Sequence, residues 1–499
     1  MYKIDWEKYL SCNRLRKENE PAGTEYDYRN FFESDLKRVI FCPALRRMHD
    51  KTQVIPLSNG DTLLTRLTHS IQVMDVAEML ATRLTRNEEF VENYKEKASI
   101  YADSITTILR TASLIHDIGN PPFGHFGEVS IQNYFTRYLN SRHIITDEES
   151  LDFTEFDGNA LGLRIVSKLQ YTGTLDGLNL TFATLGAYLK YPNKGASKPD
   201  GYVGCHKHGI FKSEYALFDK IVESCNLKTD KGWIKRHPLS FLVEAADSIC
   251  YGIMDVEDGY NSNWYEFDTI VDFMNEYIEK KVENKDDLAD YMITKKTENG
   301  TKKAFSIEKL IGFSRTWDSG DKNIAKDRRR LIFDFREKLM EYMVNLTIDK
   351  FVDNLEDIDK GEKVDELLRL DKFKVSKALG AFTYRYLITK RDVQQTELTG
   401  NSVISGLLDI LLTYTFHEEK KYRAKINAVI ARSRLEELIH EDKYQELQYN
   451  IFKEKNELWD YDIENLTPYA KLRVIVDFVA SMTDKYSVQL YQKLSGMML

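Results

Sequence analysis

The sequence is poor in cysteine and lacks any long apolar run. Its five cysteines are scattered, odd in number and form no Cys-x-x-Cys pair, so they indicate neither a disulfide framework nor a thiolate zinc site. No stretch approaches the roughly 18 uncharged apolar residues that a membrane helix needs. The charged opening MYKIDWEKYLSCNRLRKE has no signal-peptide core. We therefore expect a cytoplasmic protein with no membrane partner.

Proline is also scarce, with nine among 499 residues, and alternating apolar and polar runs are few. Long segments rich in Leu, Ile, Ala, Lys and Glu favour an all-α fold. A turn at Asn59 and Gly60 predicts at most a short β-hairpin, pairing Gln53–Pro56 with Thr62–Leu64. The highly charged stretch from Glu279 to Lys303 has the composition of an exposed helix or an insertion.

A net charge of −9 argues against a surface built for polyanions, although a local basic pocket can still hold a phosphate chain. Cys205, His206 and His208 lie in a Gly- and Lys-rich stretch. We interpret that stretch as a solvated loop and not as a metal site.

Two helices are predicted to carry polar groups of chemical interest. Apolar residues at helical spacing between Ile105 and Ile115 place His116 and Asp117 at a helix end, just before the breaker GNPP. A second helix begins near Leu239 and has a polar side with residues at i, i+4 and i+8, namely Asp247, Tyr251 and Asp255.

Together with His69, these helices supply two imidazoles and two carboxylates. The set His69, His116, Asp117 and Asp247 suits a divalent ion with octahedral preference and open positions for water or phosphate. A His-Asp dipeptide alone is weak evidence, because a histidine at a helix end can simply face the helix dipole. Spacing alone leaves both interpretations open.

The order H…HD…D on separate segments is the signature of the HD superfamily. Within it, the strings ALRRMHDKTQV, TRLTHS, HDIGNPPFGHFGE, AADSICYGIMD and SMTDKYS resemble the bacterial deoxyguanosinetriphosphate triphosphohydrolases. The resemblance is strong over the N-terminal half and continues, more diluted, through TELTGNSVISGLL to the C-terminus. It implies an HD-domain helical core and hydrolysis of dGTP to deoxyguanosine and inorganic triphosphate, an activity that contributes to control of dNTP pools.

The resemblance implies that His69, His116, Asp117 and Asp247 bind one divalent ion per site. Mn²⁺ or Mg²⁺ is expected, and Fe²⁺, Co²⁺ or Ni²⁺ are alternatives. It also implies that His125 and Glu128, three residues apart, are catalytic. A carboxylate bonded to one imidazole nitrogen raises the basicity of the other, as acid–base chemistry at a phosphate requires. The competing interpretation is a surface pair with no role.

The resemblance further implies a set of substrate contacts. Tyr251 packed on C2′ would exclude a ribose hydroxyl, and Asp255 would accept from the 3′-hydroxyl. Glu397 would accept the N1–H and N2–H donors of guanine. Arg66 and Lys190 would contact the triphosphate. The complete set is Gln53, Val54, Arg66, Asn159, Lys190, Tyr251, Asp255 and Glu397.

Several alternatives stay open. One is an HD enzyme for another phosphoester, such as a broad dNTP triphosphohydrolase, a nucleoside monophosphatase or a cyclic-nucleotide phosphodiesterase. Enzymes that accept all four dNTPs often carry histidine where this chain has Asn120, which favours the dGTP branch. Another alternative is a non-catalytic nucleotide-sensing protein.

The resemblance also implies a homo-oligomer, with a hexamer expected, and a single-stranded DNA or nucleotide effector. We divide the chain into an N-terminal segment that contributes to the site and to oligomer contacts (1–60), an HD-domain core (61–275) and a helical C-terminal region that completes the nucleotide pocket (276–499).

Overall fold

The computed structural model describes residues 2–16, 30–53, 64–170, 176–195, 201–297, 300–315, 324–430, 463 and 466–497. Over these residues the protein is almost entirely helical, with a single two-stranded antiparallel sheet. The all-α prediction is thus confirmed. No helix in the described ranges is long and apolar enough to cross a membrane.

The described part of the first half of the chain contains ten α-helices. They are α1 Phe31–Ile40, α2 Pro43–Arg47, α3 Arg66–Thr85, α4 Glu88–Tyr94, α5 Ala98–Ile115, α6 His125–Asn140, α7 Asp147–Thr154, α8 Gly158–Arg164, α9 Phe182–Tyr188 and α10 Tyr215–Ser224.

The described part of the second half contains ten more. They are α11 Pro238–Asn261, α12 Phe267–Lys281, α13 Ile307–Leu310, α14 Ile324–Asp353, α15 Leu355–Lys360, α16 Val375–Thr383, α17 Arg391–Thr415, α18 Lys420–Val429, α19 Pro468–Ala480 and α20 Asp484–Leu494.

Short helical turns link these elements. The 3₁₀ turns are Trp6–Lys8, Met48–Asp50, Lys95–Lys97, Val203–Cys205, Lys212–Glu214, Lys285–Tyr291 and Leu367–Leu370, and the π-helical turns are Ile165–Leu169 and Tyr384–Ile388.

The three helices with the predicted metal ligands form the centre of the fold. Helix α3 packs against both α5 and α11, and α5 also packs against α11. Each begins or ends where its sequence dictates. Thr65 caps α3 with a reciprocal side-chain bond to Thr68, Pro238 occupies the first turn of α11, and α5 ends at Ile115, before His116 and Asp117.

The C-terminal helices wrap around this centre. Helix α14 packs against α11 and α3, while α17 packs against α6, α19 and α20. Helix α14 covers most of the stretch DRRRLIFDFREKLMEYMVNLTIDKFVDNL. Helix α17 brings residues more than 250 positions away in sequence against α6, the helix that begins at His125.

Of the two interpretations of the stretch from Glu279 to Lys303, an exposed helix or an insertion, the helix was wrong. Only its first residues continue α12, and after the turn Lys285–Tyr291 the chain forms strands β1 (Met292–Thr297) and β2 (Gly300–Phe305). Met292 pairs with Phe305 and Thr297 with Gly300. Threonine and isoleucine favour strands, and the segment lacks the apolar helical spacing that would bury a helix face.

The predicted pairing of Gln53–Pro56 with Thr62–Leu64 falls mostly on 54–63, outside the described residues. At its base, Thr52 forms an antiparallel bridge with Thr65, and the Gln53 N–H donates to the Leu64 carbonyl at 3.2 Å.

Candidate active site

The four predicted metal ligands converge between α3, α5 and α11. The Nε2 atom of His69 lies 3.1 Å from Asp247 Oδ1, and His116 Nε2 lies 3.4 Å from the same oxygen and 3.5 Å from Asp117 Oδ1. The ligand atoms of His69, His116 and Asp117 lie within 4.8 Å of one another. Asp247 joins this group through the two imidazoles.

The electrostatics of the cluster favour a cation. The Nδ1 atom of His116 contacts the Ser113 carbonyl at 2.7 Å, which leaves Nε2 as the ring nitrogen that faces the carboxylates. Nε2 is buried and has no well-aligned hydrogen-bond partner. Burial lowers the pKa of His116, but Asp117 and Asp247 outweigh this effect and raise that pKa to about 9. Two imidazole nitrogens and two carboxylates facing one point therefore fit a divalent cation.

Asp117 is held by two further side chains. Arg66 Nη1 donates to Asp117 Oδ2 at 2.6 Å, and Asn120 Nδ2 donates to Oδ1 at 2.6 Å. Burial raises the pKa of Asp117, but His116 and Arg66 more than offset this effect and lower that pKa overall. Such partners orient a ligand and are typical of metal sites. Arg66, a predicted triphosphate contact, thus lies in the site with its guanidinium bonded to a predicted ligand.

A cavity of about 90 Å³ opens beside the cluster. It is lined by His116, Asp117, Asn120, Asn159, Tyr188, Lys190, Ser240, Val243, Glu244 and Asp247. Asn159 and Lys190, two of the predicted substrate contacts, therefore share one cavity with three of the predicted metal ligands. Lys190 Nζ lies 3.4 Å from Glu244 Oε1. Burial lowers the pKa of Lys190, but Glu244, Tyr191 and Asp247 together raise it by more. The pKa is therefore above its usual value, and the amine is charged.

The predicted catalytic pair is present as a contact. His125 Nδ1 lies 3.1 Å from Glu128 Oε2, and Glu128 Oε1 accepts the Gly158 N–H at 2.8 Å. Glu128 is buried, whereas the His125 side chain is 69% exposed. The hydrogen bond to Glu128 raises the pKa of His125. The helix begins at His125, and Glu128 lies in its first turn at the i, i+3 position.

The residues predicted for the polar side of α11 differ in exposure to solvent. Tyr251 is 40% exposed, but Asp255 is only 1% exposed. The buried Oδ2 atom of Asp255 has no hydrogen-bond partner among the described residues, and burial together with Asp258 and Asp247 raises the pKa of this carboxyl well above its usual value. A buried acceptor with no partner is costly unless a ligand satisfies it.

Two more predicted substrate contacts also carry buried, unpartnered oxygens. They are Gln53 Oε1 and Glu397 Oε1, while Glu397 Oε2 accepts from Gln394 Nε2 at 3.1 Å. Glu397 lies on α17 one turn before Gly400, where a Cβ atom would come within 2.7 Å of the Phe123 ring. Helix α17 therefore approaches the loop between the metal ligands and His125. Val54 lies outside the described residues.

Sequence reasoning missed several charged residues around the site. Lys207 Nζ lies 2.7 Å from Asp157 Oδ2 and 3.7 Å from Glu128 Oε2, and Asp157 caps the helix that begins next to Asn159. Arg236 pairs with Glu244 at 2.5 Å. Lys207 lies 50 positions from Asp157, and Arg236 lies before the start of α11, eight positions from Glu244, so no helical spacing marks either pair. Two others, Lys51 and Asp484, stand in strings that the family resemblance singled out, but spacing assigns them no contact.

The solvated loop expected around His208 was also an error. His208 is 1% exposed, and its Nε2 atom lies 3.1 Å from Asp152 Oδ1. Tyr469 donates to the other oxygen of Asp152 at 2.5 Å, so packing by α19 buries the loop.

Comparison with known proteins agrees with this geometry. Residues 66–168 match the HD domain, and residues 449–493 match the phosphohydrolase-associated domain. The HD match contains His69, His116 and Asp117 together with His125 and Glu128. HD domains are metal-dependent hydrolases, and the cluster has the donor set for such an ion.

Relatives extend the similarity over the whole chain. A deoxyguanosinetriphosphate triphosphohydrolase-like protein of Listeria innocua serovar 6a is 31% identical over 505 residues, covering 99% of this chain and 100% of the relative. One of Pseudomonas aeruginosa is 39% identical over 277 residues, covering 54% of this chain and 60% of the relative. The deoxyguanosinetriphosphate triphosphohydrolase of Cronobacter sakazakii is 28% identical, with 99% of each chain covered. This protein therefore belongs to the deoxyguanosinetriphosphate triphosphohydrolase family of HD-domain phosphohydrolases.

Proposed function

We propose that this phosphohydrolase cleaves dGTP into deoxyguanosine and inorganic triphosphate. The observation that carries the proposal is the shared cavity, where the His69, His116, Asp117 and Asp247 cluster meets the charged amine of Lys190 and the amide of Asn159. A cation site beside a fixed positive charge suits a substrate with several phosphates. The full-length relatives with triphosphohydrolase names support the same reaction.

The four ligands would hold the metal ion, which when bound supplies Lewis acidity at a phosphoryl oxygen and acidifies water. Arg66 and Asn120 would keep the Asp117 carboxylate in its orientation. Lys190 would bind the phosphate chain as a point charge whose protonated state Glu244 secures.

His125 would move the proton in the chemical step. Its Nδ1 atom faces Glu128, so Nε2 is the ring atom available to water or to the leaving 5′-oxygen. Glu128 is itself anchored by the Gly158 N–H, which fixes the direction of the imidazole. The exposure of His125 leaves its ring open to an approaching nucleotide.

The nucleoside would be recognised by groups that lack a protein partner. Asp255 Oδ2 would accept the 3′-hydroxyl, Gln53 Oε1 would face the sugar, and Glu397 Oε1 would accept from guanine. The Tyr251 ring, one helical turn from both Asp247 and Asp255, would pack against C2′ and disfavour a ribose. Val54, adjacent to Gln53, belongs to this proposed pocket.

Product analysis tests the proposal. The purified protein is incubated with each of the four dNTPs and with GTP, in Mn²⁺ and in Mg²⁺, and the products are resolved by anion-exchange chromatography. We expect triphosphate and deoxyguanosine, with dGTP preferred. Equal rates with all four dNTPs would instead indicate a broad triphosphohydrolase. Pyrophosphate or phosphate as the first inorganic product would overturn the proposal.

Assembly and regulation are part of the same proposal. The family resemblance supports a homo-oligomer, expected to be a hexamer, and an effector that is a nucleotide or single-stranded DNA. Light scattering of the purified protein, with and without each effector, measures the oligomeric state. Triphosphate release at limiting dGTP, with and without each effector, measures regulation. A monomer whose rate does not respond to either effector would contradict both expectations.

A further inference from the structure

A buried carboxylate in the C-terminal helices ties together two segments that border the site. Asp484, the first residue of α20, is 3% exposed. Its Oδ1 atom accepts the Phe123 N–H at 2.9 Å, and its Oδ2 atom accepts both the N–H and the hydroxyl of Thr52, at 3.0 and 2.9 Å. These partners lie 361 and 432 positions away in sequence.

A buried lysine reinforces the same junction. Lys51 is 3% exposed, and its amine donates to the Asn120 carbonyl at 2.5 Å and to the Ala480 carbonyl at 3.2 Å. Burial lowers the pKa of Lys51 to about 7, and the nearby Asp484 carboxylate opposes this effect. Two charged side chains thus cross-link the segments 51–53, 120–124 and 480–484.

Each tethered segment leads directly to a residue of the proposed reaction. Phe123 and Gly124 have φ angles of 63° and 59°, in the left-handed region, and the next residue is His125. Phenylalanine rarely adopts this conformation without outside support, and the Asp484 bond supplies such support at its N–H. On the other side, Thr52 precedes Gln53, whose side-chain oxygen is buried without a partner.

We propose that Asp484 is a positioning residue for the phosphohydrolase reaction. Through Phe123 it holds the turn that directs His125, through Thr52 it holds Gln53 at the substrate, and Lys51 braces the same junction. The inference rests on the proposed roles of His125 and Gln53. It also gives the phosphohydrolase-associated domain, which contains Asp484, a function: this domain completes the geometry of the HD site.

The chain offers a matched control in the same domain. Asp477 on α19 is fully buried, and it accepts from Arg164 Nε at 2.8 Å and from Arg473 Nη2 at 3.0 Å. Like Asp484, it ties the C-terminal helices to a distant segment with charge-assisted bonds. Unlike Asp484, it has no hydrogen bond to the segment 51–53 or to the loop 120–124 within the described part of the chain. Asp477→Asn therefore reports the cost of losing a buried carboxylate in this domain.

The experiment compares full-length wild type, Asp484→Asn and Asp477→Asn, at a temperature below the melting point of all three. Measured are kcat and KM for triphosphate release, bound metal, and amide hydrogen exchange of peptides that cover 119–128. In Asp484→Asn we expect kcat to fall by about ten- to a hundredfold with metal content unchanged, as misplaced catalytic groups do. We also expect faster exchange at Phe123. Asp477→Asn should keep kcat within about threefold of wild type, even if its Tm falls as far as the Tm of Asp484→Asn.

A second variant separates the two tethers and remains informative if Asp484→Asn does not fold. Thr52→Val removes one bond of Oδ2 and leaves the Phe123 bond in place. It should raise KM by several-fold while kcat stays close to wild type, because only the Gln53 side loosens. A purely structural role would move neither constant for the folded protein.

Three results would overturn the inference. The first is an equal loss of kcat in Asp484→Asn and Asp477→Asn, in proportion to the loss of Tm. The second is wild-type kinetics together with unchanged exchange at 119–128 in Asp484→Asn. The third applies if Asp484→Asn does not fold, and it is wild-type kcat and KM in Thr52→Val. If wild type releases no triphosphate from dGTP, the proposed function fails. The exchange comparison between the two aspartate variants then still decides whether Asp484 positions the loop.

Discussion

Two aspartates of helix α11 carry the same carboxyl group, but their pKa values are shifted in opposite directions. Asp247 faces His69 and His116, and although burial raises its pKa, the two imidazoles hold that pKa well below the usual value. Asp255, two helical turns later, has a buried oxygen without a partner in the described part of the chain, and burial with Asp258 and Asp247 nearby raises its pKa well above the usual value.

The difference separates an end of the helix that favours a bound cation from an end where burial disfavours the charged carboxylate. At the Asp247 end, the protein supplies positive partners and a cation would complete the set. At the Asp255 end, the unsatisfied oxygen is matched to a donor that the protein does not provide, such as a sugar hydroxyl. One helix thus presents a proposed metal ligand and a proposed hydroxyl acceptor at a fixed separation, as a phosphorylated sugar requires. Six variants in and around this helix test the contrast.

Replacement of Asp247 by alanine should have the largest effect. Loss of a ligand leaves the cluster under-coordinated, so bound metal and activity should fall by more than the roughly 100-fold typical of outer-shell changes. His116→Ala should behave in the same way. Metal analysis of the dialysed protein and rates at several Mn²⁺ concentrations measure both. Full activity of either variant at ordinary metal concentration would mean that the substituted residue is not a metal ligand.

His125→Ala should separate chemistry from metal binding. Because His125 contacts Glu128 and none of the four proposed ligands in the described structure, metal content and substrate affinity should persist while kcat falls by about 10²- to 10⁴-fold. Single-turnover rates with titrated metal provide the measurement. If metal is lost and the rate per bound ion is normal, His125 is a ligand or a structural residue.

Tyr251→Ala should affect selection of the sugar more than the rate. A ribose hydroxyl would clash with the ring or be buried unpaired, at about 1–3 kcal/mol. The ratio of kcat/KM for dGTP over GTP should therefore fall by roughly 5- to 100-fold, even if both rates drop through lost packing. With folding verified and metal saturating, an unchanged ratio would place ribose exclusion elsewhere.

Asp255→Asn should give the smallest effect, on stability. Because the folded pKa of Asp255 is raised, folding favours its protonated form, and stability is lost as pH rises above the unfolded pKa near 4. The amide removes this loss, so Tm of the nucleotide-free variant should exceed that of wild type by roughly 1–3 °C at neutral pH and match it near pH 4.

Asp258→Asn is the matched control for that variant. Burial and Glu257 raise the pKa of Asp258 to about 7, so its gain in Tm should grow only up to about that pH and then level off. If the Tm of Asp255→Asn never exceeds that of wild type, ionisation of Asp255 does not destabilise the fold. The proposed difference in pKa between Asp247 and Asp255 would then be wrong for Asp255.

Much of the site followed from local patterns and from the family strings. Apolar spacing in α5 and α11 placed His116, Asp117, Asp247 and Asp255 on the correct elements, since burial of one helix face leaves a repeating trace in the sequence. The hairpin β1–β2 was missed because charged, lysine-rich composition does not distinguish an exposed helix from an exposed strand. The burial of His208 was missed because its partner, Asp152, lies 56 positions away on helix α7.

The sequence by itself determined the helical architecture, the donor types of the metal cluster and the His125–Glu128 pair, because each depends on residues within a few helical turns or on a motif of fixed order. Only the tertiary structure decided which carboxylates carry charge and which residues brace the site. A pKa depends on burial and on neighbours from other elements, as with Asp255, and a bond such as Asp484 to Phe123 joins positions 361 apart. Such contacts arise only when distant helices pack, so no local pattern records them.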